Sequence, residues 1–586
     1  MHCRLGILVA LISSVSVSAL PTWALTPSDL VGVWGERRAL GPNVSGVLTV
    51  TLDGAAGRAE ITGRAVDIRC DGAQVDSALS GGQGRFRGRI AGDSITGHWI
   101  QPRTIAFGSA YATPVVLHSV SSNVWRGVVT PLADEMTFYL RFALDSAGDL
   151  RCYFRNPDRN AGRFMPVKRV ALDGNTVNFM AGTGSEAEVL ATGQYSPDDQ
   201  CLSVFLPWAG GTYDFSRQTA VDLAGFYPRG DSAAKYSYQP PPQLVDGWPT
   251  ADLENVGLSR DSIEQFIQML IDMPMVSNRT LDVHGVLIAR HGTLVLEEYF
   301  HGFNRDELHD TRSASKTMTS TVTGAANLSG YSIDPALPVY ATMLGVDSAK
   351  THDARARAIT VEHLLTMSSG LNCDDSDEES PGNEDRMQEQ RDQPDWVQYT
   401  LDLGMLRNPG EEAVYCSCNP NLLGGVLSKI TGKWIPELFD ELIDRPMKFG
   451  HYAINLMPNG EAYAGGGMRL LPRDFMKIGQ MMLNGGRWQG RQIVSEEWAA
   501  RATSPVVVLE EHGYGYYWWI ERYPYRGDTV SAFFAGGNGG QIVMGIPALD
   551  IVIAFYAGNY SDMVFLTLQR EYVPKYLLPA LVRNQN

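Results

Sequence analysis

The first two hundred residues contain short segments in which apolar and polar positions alternate. Segments 46–52, 85–90 and 136–144 show this period of two, and Gly, Asp and Asn separate them. Alternation of this kind is typical of half-buried strands, and many short strands at this spacing predict an antiparallel sheet. The pattern therefore predicts an all-β sandwich or barrel over residues 25–230.

A weak internal echo runs through the same region. Trp34 stands in a Val-Trp-Gly sequence and Trp125 in a Val-Trp-Arg-Gly sequence, and an Asp-Gly pair follows each at a distance. This echo predicts two copies of one β unit. No catalytic constellation appears here, so two hypotheses stay open: a module that binds a polymer or protein, and a purely structural companion domain.

The hydrophobic pattern changes after a Pro-rich stretch. Residues 231–250 contain three consecutive prolines and a Trp-Pro pair, which break both periodicities and predict an interdomain linker. Beyond it, a helical period returns, with Ser259 as the expected N-cap of the first helix. The expected helices cover 258–271, 315–328, 361–367, 421–431, 473–484 and a last one from Asp562.

Strand patterns stand at the two ends of this second half. Residues 284–301 read as an apolar hairpin, and 541–544 and 551–556 read as two strands about a turn. Terminal strands that pair in one sheet, with helices between them in sequence, make an α+β domain. The expected fold class is multidomain: an N-terminal all-β sandwich or barrel, then a C-terminal α+β domain over 251–586 with an antiparallel sheet and an inserted helical region.

Length and charge narrow the function classes. A chain of 586 residues exceeds what one hydrophobic core supports. Its net charge of −17 argues against nucleic acid as a partner. Residues 1–24 combine Arg4, a short apolar run and small-x-Ala sites that end at Ala19 and Ala24. We interpret them as a signal peptide and expect a secreted or periplasmic protein with no membrane span after its removal; a membrane anchor is the weaker alternative.

Six cysteines remain beyond the signal segment, and an even number in an exported chain permits disulfides. We favour a bond between Cys373 and either Cys416 or Cys418. The Cys-x-Cys spacing at 416–418 is also compatible with a metal, but no clustered His or second Cys pair accompanies it. We therefore expect neither a metal site nor a cofactor.

The candidate chemistry begins with a Ser-x-x-Lys element, Ser313 to Lys316, at the start of an expected helix. The i, i+3 spacing places hydroxyl and ammonium on one face. A lysine whose pKa is lowered by burial can take the proton of a serine nucleophile, and the helix N-terminus favours a developing oxyanion. Ser315 is the competing nucleophile, but its neighbour Lys316 faces elsewhere.

Three further elements follow in order. A helix-to-turn segment covers 360–371, a Tyr-x-Ser element contains Tyr415 and Ser417, and a Gly-rich segment covers 535–541. Together with Ser-x-x-Lys, this ordered set resembles the serine β-lactamase-like superfamily. The resemblance covers about 244–586 and is strongest to the branch of class C β-lactamases, family VIII-type esterases and 6-aminohexanoate-dimer hydrolases.

The resemblance implies a role for each matching residue. Ser313 would be the acylated nucleophile, Lys316 its proton acceptor and Tyr415 the group that carries protons to and from the leaving group. Ser417 stands where relatives have Asn and would help position the substrate less well. Metal and cofactor are not part of the implied chemistry.

The third family element implies the oxyanion hole. Ala535 begins the Ala-Gly-Gly that replaces the Lys-Thr-Gly or His-x-Gly of relatives. The N–H of Asn538 would then join that of Ser313, and Gly537 would permit the close approach. A plain Gly-rich turn is the alternative for this segment considered alone.

These features lead to one principal hypothesis and two alternatives. We expect an exported serine hydrolase that cleaves an ester or amide bond, peptide bonds included, through an acyl-enzyme on Ser313. The alternatives are a β-lactamase or D-Ala-D-Ala-type peptidase, and a catalytically silent relative that binds ligands. The uncharged Ala535 disfavours substrates with a free carboxylate. The acidic run 374–379 is expected to be a solvated loop more than a gate, and the aromatic run 514–519 a core strand more than a pocket.

Overall fold

The computed structural model describes residues 25–41, 44–182, 187–220, 222–230, 235–349, 352–390 and 395–582. The expected signal peptide lies outside these residues, so its cleavage stays a prediction. The region before residue 218 is made almost wholly of antiparallel strands. Its strands are β1 (Gly32–Ala39), β2 (Gly46–Asp53), β3 (Ala56–Ile61), β4 (Arg64–Asp71), β5 (Gln74–Ala78), β6 (Arg85–Ala91), β7 (Ser94–Gln101), β8 (Ala110–Ser121), β9 (Val124–Val129), β10 (Glu135–Leu144), β11 (Leu150–Arg155), β12 (Arg169–Asp173), β13 (Thr176–Met180), β14 (Val189–Ser196), β15 (Cys201–Leu206) and β16 (Gly211–Arg217).

Strands β2 to β9 form a closed barrel. Each is the antiparallel neighbour of the next, and β9 pairs with both β2 and β8, which closes the ring. The alternating pattern turns every second side chain inward. The resulting interior is apolar, with Val50, Phe86 and Ile95 fully buried. Closure leaves no free sheet edge within the ring, which removes a template for aggregation.

Strands β1 and β10 to β16 form a second unit, the open barrel. Its order is β11-β10-β1-β16-β15-β14-β13-β12, with no pairing between β11 and β12. The closed barrel is thus inserted between the first two strands of the open one. Trp34 lies in β1 and Trp125 in β9, so the sequence echo falls on strands that are not equivalent. The N-terminal region is rich in β-sheet with barrel-like sheets, as predicted. In the sequence, the whole closed barrel lies between two strands of the open barrel, β1 and β10.

Residues 235–250 contain no helix or strand, yet they are firmly attached to the second half. The buried Tyr238 hydroxyl donates to the Val295 carbonyl over 2.7 Å. The Trp248 indole, also buried, donates to the Arg473 carbonyl over 3.2 Å. The Pro-rich stretch therefore packs along the second half of the chain, and its role as an interdomain linker stays a prediction.

The second half is built on one antiparallel sheet in the order β18-β17-β29-β28-β27-β26-β25-β24. Its first and last strands pair, as the α+β prediction requires: Val286 of β17 faces Phe555 of β29. The strands of this half are β17 (Val283–Arg290), β18 (Thr293–Tyr299), β19 (His309–Asp310), β20 (Tyr452–Leu456), β21 (Arg469–Leu470), β22 (Arg487–Trp488), β23 (Arg491–Gln492), β24 (Val507–Leu509), β25 (His512–Tyr514), β26 (Trp519–Tyr525), β27 (Asp528–Gly537), β28 (Gln541–Ile546) and β29 (Ile551–Ala557).

The helices lie mostly between β18 and β24 in sequence. Ser259 caps the first helix of this half by accepting from the Ser262 N–H over 3.3 Å, as predicted. The last expected helix, from Asp562, is a 3-10 turn followed by a π-type helix. The α-helices of the chain are α1 (Pro27–Leu30), α2 (Arg260–Ile271), α3 (Lys316–Leu328), α4 (Val339–Leu344), α5 (Val346–Ala349), α6 (Ala354–Arg357), α7 (Val361–Leu365), α8 (Glu384–Gln388), α9 (Trp396–Leu401), α10 (Cys418–Thr431), α11 (Ile435–Phe439), α12 (Arg445–Met447), α13 (Pro472–Leu483) and α14 (Glu496–Ala502).

Helix α3 runs through the middle of this half, and its residues 316–326 are all buried. Two of its hydroxyl groups are satisfied within the helix: Thr321 donates to the Thr317 carbonyl and Thr323 to the Thr319 carbonyl, each over 2.7 Å. Such back-bonding lets polar side chains be buried without unpaired donors. Thr319 donates instead to the Ala464 carbonyl over 2.8 Å, and the buried Ser320 hydroxyl has no partner among the described residues. The sequence can therefore place a polar helix, with a lysine at its start, inside the core.

The two halves are joined by a sheet and by a buried ion pair. Strand β8 of the closed barrel pairs with β20, with Ala112 opposite Ile454. The Arg155 guanidinium lies 2.7 Å from the buried Asp282 carboxylate. Burial raises the pKa of Asp282, but Arg155 and two histidines outweigh it and hold the pKa well below its usual range. Within the described ranges, no helix is long and apolar enough to span a membrane.

Candidate active site

Ser313 and Lys316 lie together at the start of α3. A 3-10 turn, Arg312–Ser315, precedes the helix, and the Lys316 Nζ donates to the Ser313 Oγ over 3.0 Å. Lys316 is 1% exposed, whereas Ser313 is only half-buried. The helical spacing thus places a buried ammonium against a hydroxyl that solvent or substrate can reach.

The turn before the nucleophile is held by contacts from distant segments. Arg312 has a φ of +48°, a strained conformation for a non-Gly residue. Its carbonyl accepts from the Gly467 N–H over 3.0 Å, and its N–H donates to Asp310 Oδ1 over 3.0 Å. The guanidinium of Arg312 is directed at Asp310 and the Tyr560 ring. These contacts fix the direction in which Ser313 points.

Ser315, the competing nucleophile, has a structural environment. It is buried, its hydroxyl donates to the Arg312 carbonyl over 2.9 Å, and it accepts from the Met468 N–H over 3.3 Å. Both interactions hold the turn. Its contacts differ from those of Ser313, which faces the lysine.

Tyr415 completes the group predicted from the sequence. The Lys316 Nζ lies 5.0 Å from the centre of the Tyr415 ring. Trp519 stacks on this ring at 5.8 Å between centroids. Within the aromatic run, Tyr514, Tyr517 and Trp518 are core residues as expected, while Trp519 forms a wall beside the tyrosine.

The electrostatics of Lys316 differ from the expectation. Burial lowers the pKa of Lys316, but Tyr415, Glu384 and Asp375 outweigh burial, so that the net shift of the pKa is upward. The condition stated for Lys316 as a base, a pKa lowered by burial, is therefore not met. Three groups that the fold brings to Lys316 from later segments, Tyr415, Glu384 and Asp375, raise its pKa.

Sequence reasoning missed the role of Asp375. The run 374–379 was expected to be solvated, and Asp377, Glu378 and Glu379 are indeed exposed. Asp375 instead turns inward, and its Oδ2 accepts from both the N–H and the hydroxyl of Ser417, over 2.8 and 2.6 Å. The available signal was the position of Asp375 in the sequence, two residues after Cys373, which forms the disulfide with Cys416.

Ser417 is fully buried, and its hydroxyl hydrogen is directed to Asp375. In this Tyr-x-Ser element, the hydroxyl of the third residue is therefore bonded to the segment that follows Cys373. The predicted contact of Ser417 with substrate is not tested by these contacts and stays a prediction.

The Gly-rich segment lies against the nucleophile turn. Strand β27 ends at Gly537, where a Cβ would lie 2.5 Å from the Thr311 carbonyl oxygen and 3.0 Å from the Ala314 nitrogen. Only glycine permits this approach. Ala535 is fully buried in the same strand, and Asn538 is exposed, with its Oδ1 accepting from the Ser561 N–H over 2.6 Å. The oxyanion role of the Asn538 N–H stays a prediction.

The disulfide joins Cys373 to Cys416, with a Cα–Cα distance of 5.6 Å. The sequence left Cys416 and Cys418 open as partners of Cys373, and the prediction of Cys418 is wrong. Cys418 is a buried free thiol at the start of α10 that donates to the Gly382 carbonyl over 3.2 Å. The sulfurs of Cys373, Cys416 and Cys418 lie within 4.8 Å of one another. Because the disulfide uses two of them, only the Cys418 thiol of this cluster is left as a metal ligand.

Comparisons with known proteins match part of the chain. A family model described as Beta-lactamase matches residues 273–565, half of the chain. A 6-aminohexanoate-dimer hydrolase from Paenarthrobacter ureafaciens is 30% identical over 226 residues, which cover 36% of this chain and 55% of that protein. The chain thus matches little more than half the length of this relative.

Two solved structures are each similar to half of the chain. A D-stereospecific amidohydrolase from Streptomyces sp. shares 20% identity with a TM-score of 0.38, covering 50% of this chain and 95% of that one. A penicillin binding protein from Bacillus halodurans shares 16% identity with a TM-score of 0.39, covering 50% and 97%.

Proposed function

Given that this chain belongs to the Beta-lactamase family and is a hydrolase of the serine β-lactamase-like superfamily, we propose that it is an exported serine hydrolase acting on ester or amide bonds, including those of peptides. Ser313 forms the acyl-enzyme, and Lys316 and Tyr415 transfer protons. The observation that carries the proposal is the 3.0 Å contact between the Lys316 Nζ and the Ser313 Oγ.

Because the pKa of Lys316 is raised, the Lys316–Tyr415 pair can accept a proton only after it has lost one to solvent. The pair then accepts the Ser313 proton as the Oγ bonds to the substrate carbonyl carbon, and returns it to the leaving alcohol or amine. Water repeats the sequence on the acyl-enzyme, which releases the acid and regenerates Ser313.

The third family element bears on the substrate. In relatives, the Lys or His of this element attracts a substrate carboxylate, whereas Ala535 is uncharged and buried. The Arg312 guanidinium, the cation adjacent to Ser313 in sequence, is directed to Asp310 and Tyr560. Both observations favour substrates without a free carboxylate near the scissile bond.

The test is covalent labelling. The wild-type protein is incubated with a serine-reactive acylating probe and digested, and the modified peptide is identified by mass spectrometry. We expect one adduct, on Ser313, that is absent from the Ser313→Ala variant and present in Ser315→Ala. An adduct on Ser315, or none in the wild type, would contradict the proposal.

A further inference from the structure

The segment that carries Tyr415 is held by the loop that follows α7. The Cys373–Cys416 disulfide joins the two segments, and the Asp375 N–H donates to the Tyr415 carbonyl over 3.0 Å. The same aspartate accepts two hydrogen bonds from Ser417. Asp375 is thus bonded to the backbone on both sides of Cys416, at Tyr415 and at Ser417.

A second contact fixes Asp375 itself. Its Oδ1 accepts from the Glu384 N–H over 3.0 Å, at the start of α8. The Glu384 carboxylate in turn accepts from the Tyr463 hydroxyl over 2.6 Å. Asp375 therefore has no freedom to turn toward solvent, unlike its exposed neighbours in the acidic run.

The charge of Asp375 also acts on the nucleophile pair. Burial, and then the neighbouring Glu384, raise the pKa of Asp375 to about 6, while Lys316 lowers it. Above that pH the aspartate is a carboxylate and contributes to the upward shift of the Lys316 pKa. The other ionisable groups that interact with Asp375 or Lys316 lie on the surrounding elements: Glu384, Tyr415, Tyr463 and Cys418.

We propose that Asp375 is a positioning residue for the reaction, because its hydrogen bonds fix the Tyr415–Ser417 segment beside Lys316 and Ser313. This role rests on the proposed function. The charge of Asp375, which helps to raise the pKa of Lys316, gives the pH profile as a second readout of the same side chain.

The test compares three variants with the wild type on a neutral aryl ester. Asp375→Asn removes the charge and keeps an acceptor oxygen. Ser417→Ala removes one hydrogen bond and keeps the charge. Glu378→Gln removes the same charge from an exposed site in the same loop and is the matched control. Circular dichroism and thermal unfolding establish that each variant is folded.

We expect Asp375→Asn to lower kcat by about tenfold to 10²-fold, since small misplacements cost this much, with KM changed less than about twofold. The ascending limb of its kcat/KM profile should move to lower pH, because a carboxylate that raises the Lys316 pKa has been neutralised. Ser417→Ala should lower kcat with an unmoved limb, and Glu378→Gln should match the wild type.

An Asp375→Asn enzyme whose kcat and pH limb equal those of Glu378→Gln would overturn the inference, as would a lowered kcat with an unmoved limb. Labelling keeps the two proposals apart. If the wild type forms the Ser313 adduct and Asp375→Asn behaves as the control, this inference alone fails. If the wild type forms no adduct, the proposed function fails.

Discussion

The interior of the closed barrel and helix α3 are both buried, but the buried side chains are apolar in the first and largely polar in the second. The barrel interior is filled by apolar side chains such as Val50, Phe86 and Ile95. Helix α3 buries a lysine and a series of hydroxyl groups, each of which needs a partner because an unpaired buried polar group costs about 1–3 kcal/mol. The barrel is therefore specified by volume and alternation, whereas α3 depends on particular atoms.

This difference indicates which substitutions should affect activity and which should affect stability. An apolar interior tolerates changes of side chain that preserve volume. A buried polar site changes its charge state and its geometry when a single atom is removed. Activity should therefore respond to conservative changes around α3, and stability to large changes in the barrel.

The largest effect is expected at the nucleophile. Ser313→Ala should abolish acylation and turnover because it removes the attacking oxygen, while Ser315→Ala should keep substantial activity because its hydroxyl supports the turn only. Steady-state kinetics on a neutral ester check this. Comparable losses in both variants would show that the turn, and not the Ser313 oxygen, limits the reaction.

The proton-transfer pair should come next. Lys316→Ala and Tyr415→Phe should each lower kcat by ~10²–10⁴-fold while the protein stays folded, since general acid and base assistance contributes this much. The measurement is kcat with thermal unfolding of the same samples. Near-normal turnover of Tyr415→Phe would place the proton path elsewhere.

Substrate choice should show a smaller effect. With the uncharged Ala535 in the third element, a chromogenic cephalosporin should be turned over less efficiently than a neutral short-chain aryl ester, by about ten- to a hundredfold in kcat/KM. A lost charge-assisted hydrogen bond of about 1.5–3 kcal/mol has this size. Cephalosporin turnover equal to that of the ester would refute the charge argument.

The smallest effect on activity is expected in the barrel. Phe86→Ala should lower the free energy of unfolding by about 3–5 kcal/mol, because it leaves a cavity in a packed interior, and should leave kcat/KM per folded molecule almost unchanged. Val47→Ala, at an exposed position of β2, is the control. A fall in kcat/KM without unfolding would show that the barrel shapes the active site.

Local features of the sequence determined much of the fold. The alternation in β10, the hairpin of β17 and β18 and the cap at Ser259 all follow from interactions within a few residues. The same holds for the contact between Ser313 and Lys316, since a spacing of three in a helical turn brings two side chains together wherever the turn lies. These elements appear in the structure close to their predicted bounds.

Other properties were decided by tertiary structure alone. Cys416 and Cys418 are almost equally near to Cys373 along the chain, and only the fold places Cys416 at a bonding distance. The direction of the Lys316 pKa shift depends on Tyr415, Glu384 and Asp375, each more than fifty residues away in sequence. The nesting of the closed barrel within the open one depends on β1 pairing with β10. Periodicity and capping are encoded locally, whereas disulfide choice, charge balance and strand order depend on distances between residues that the sequence separates.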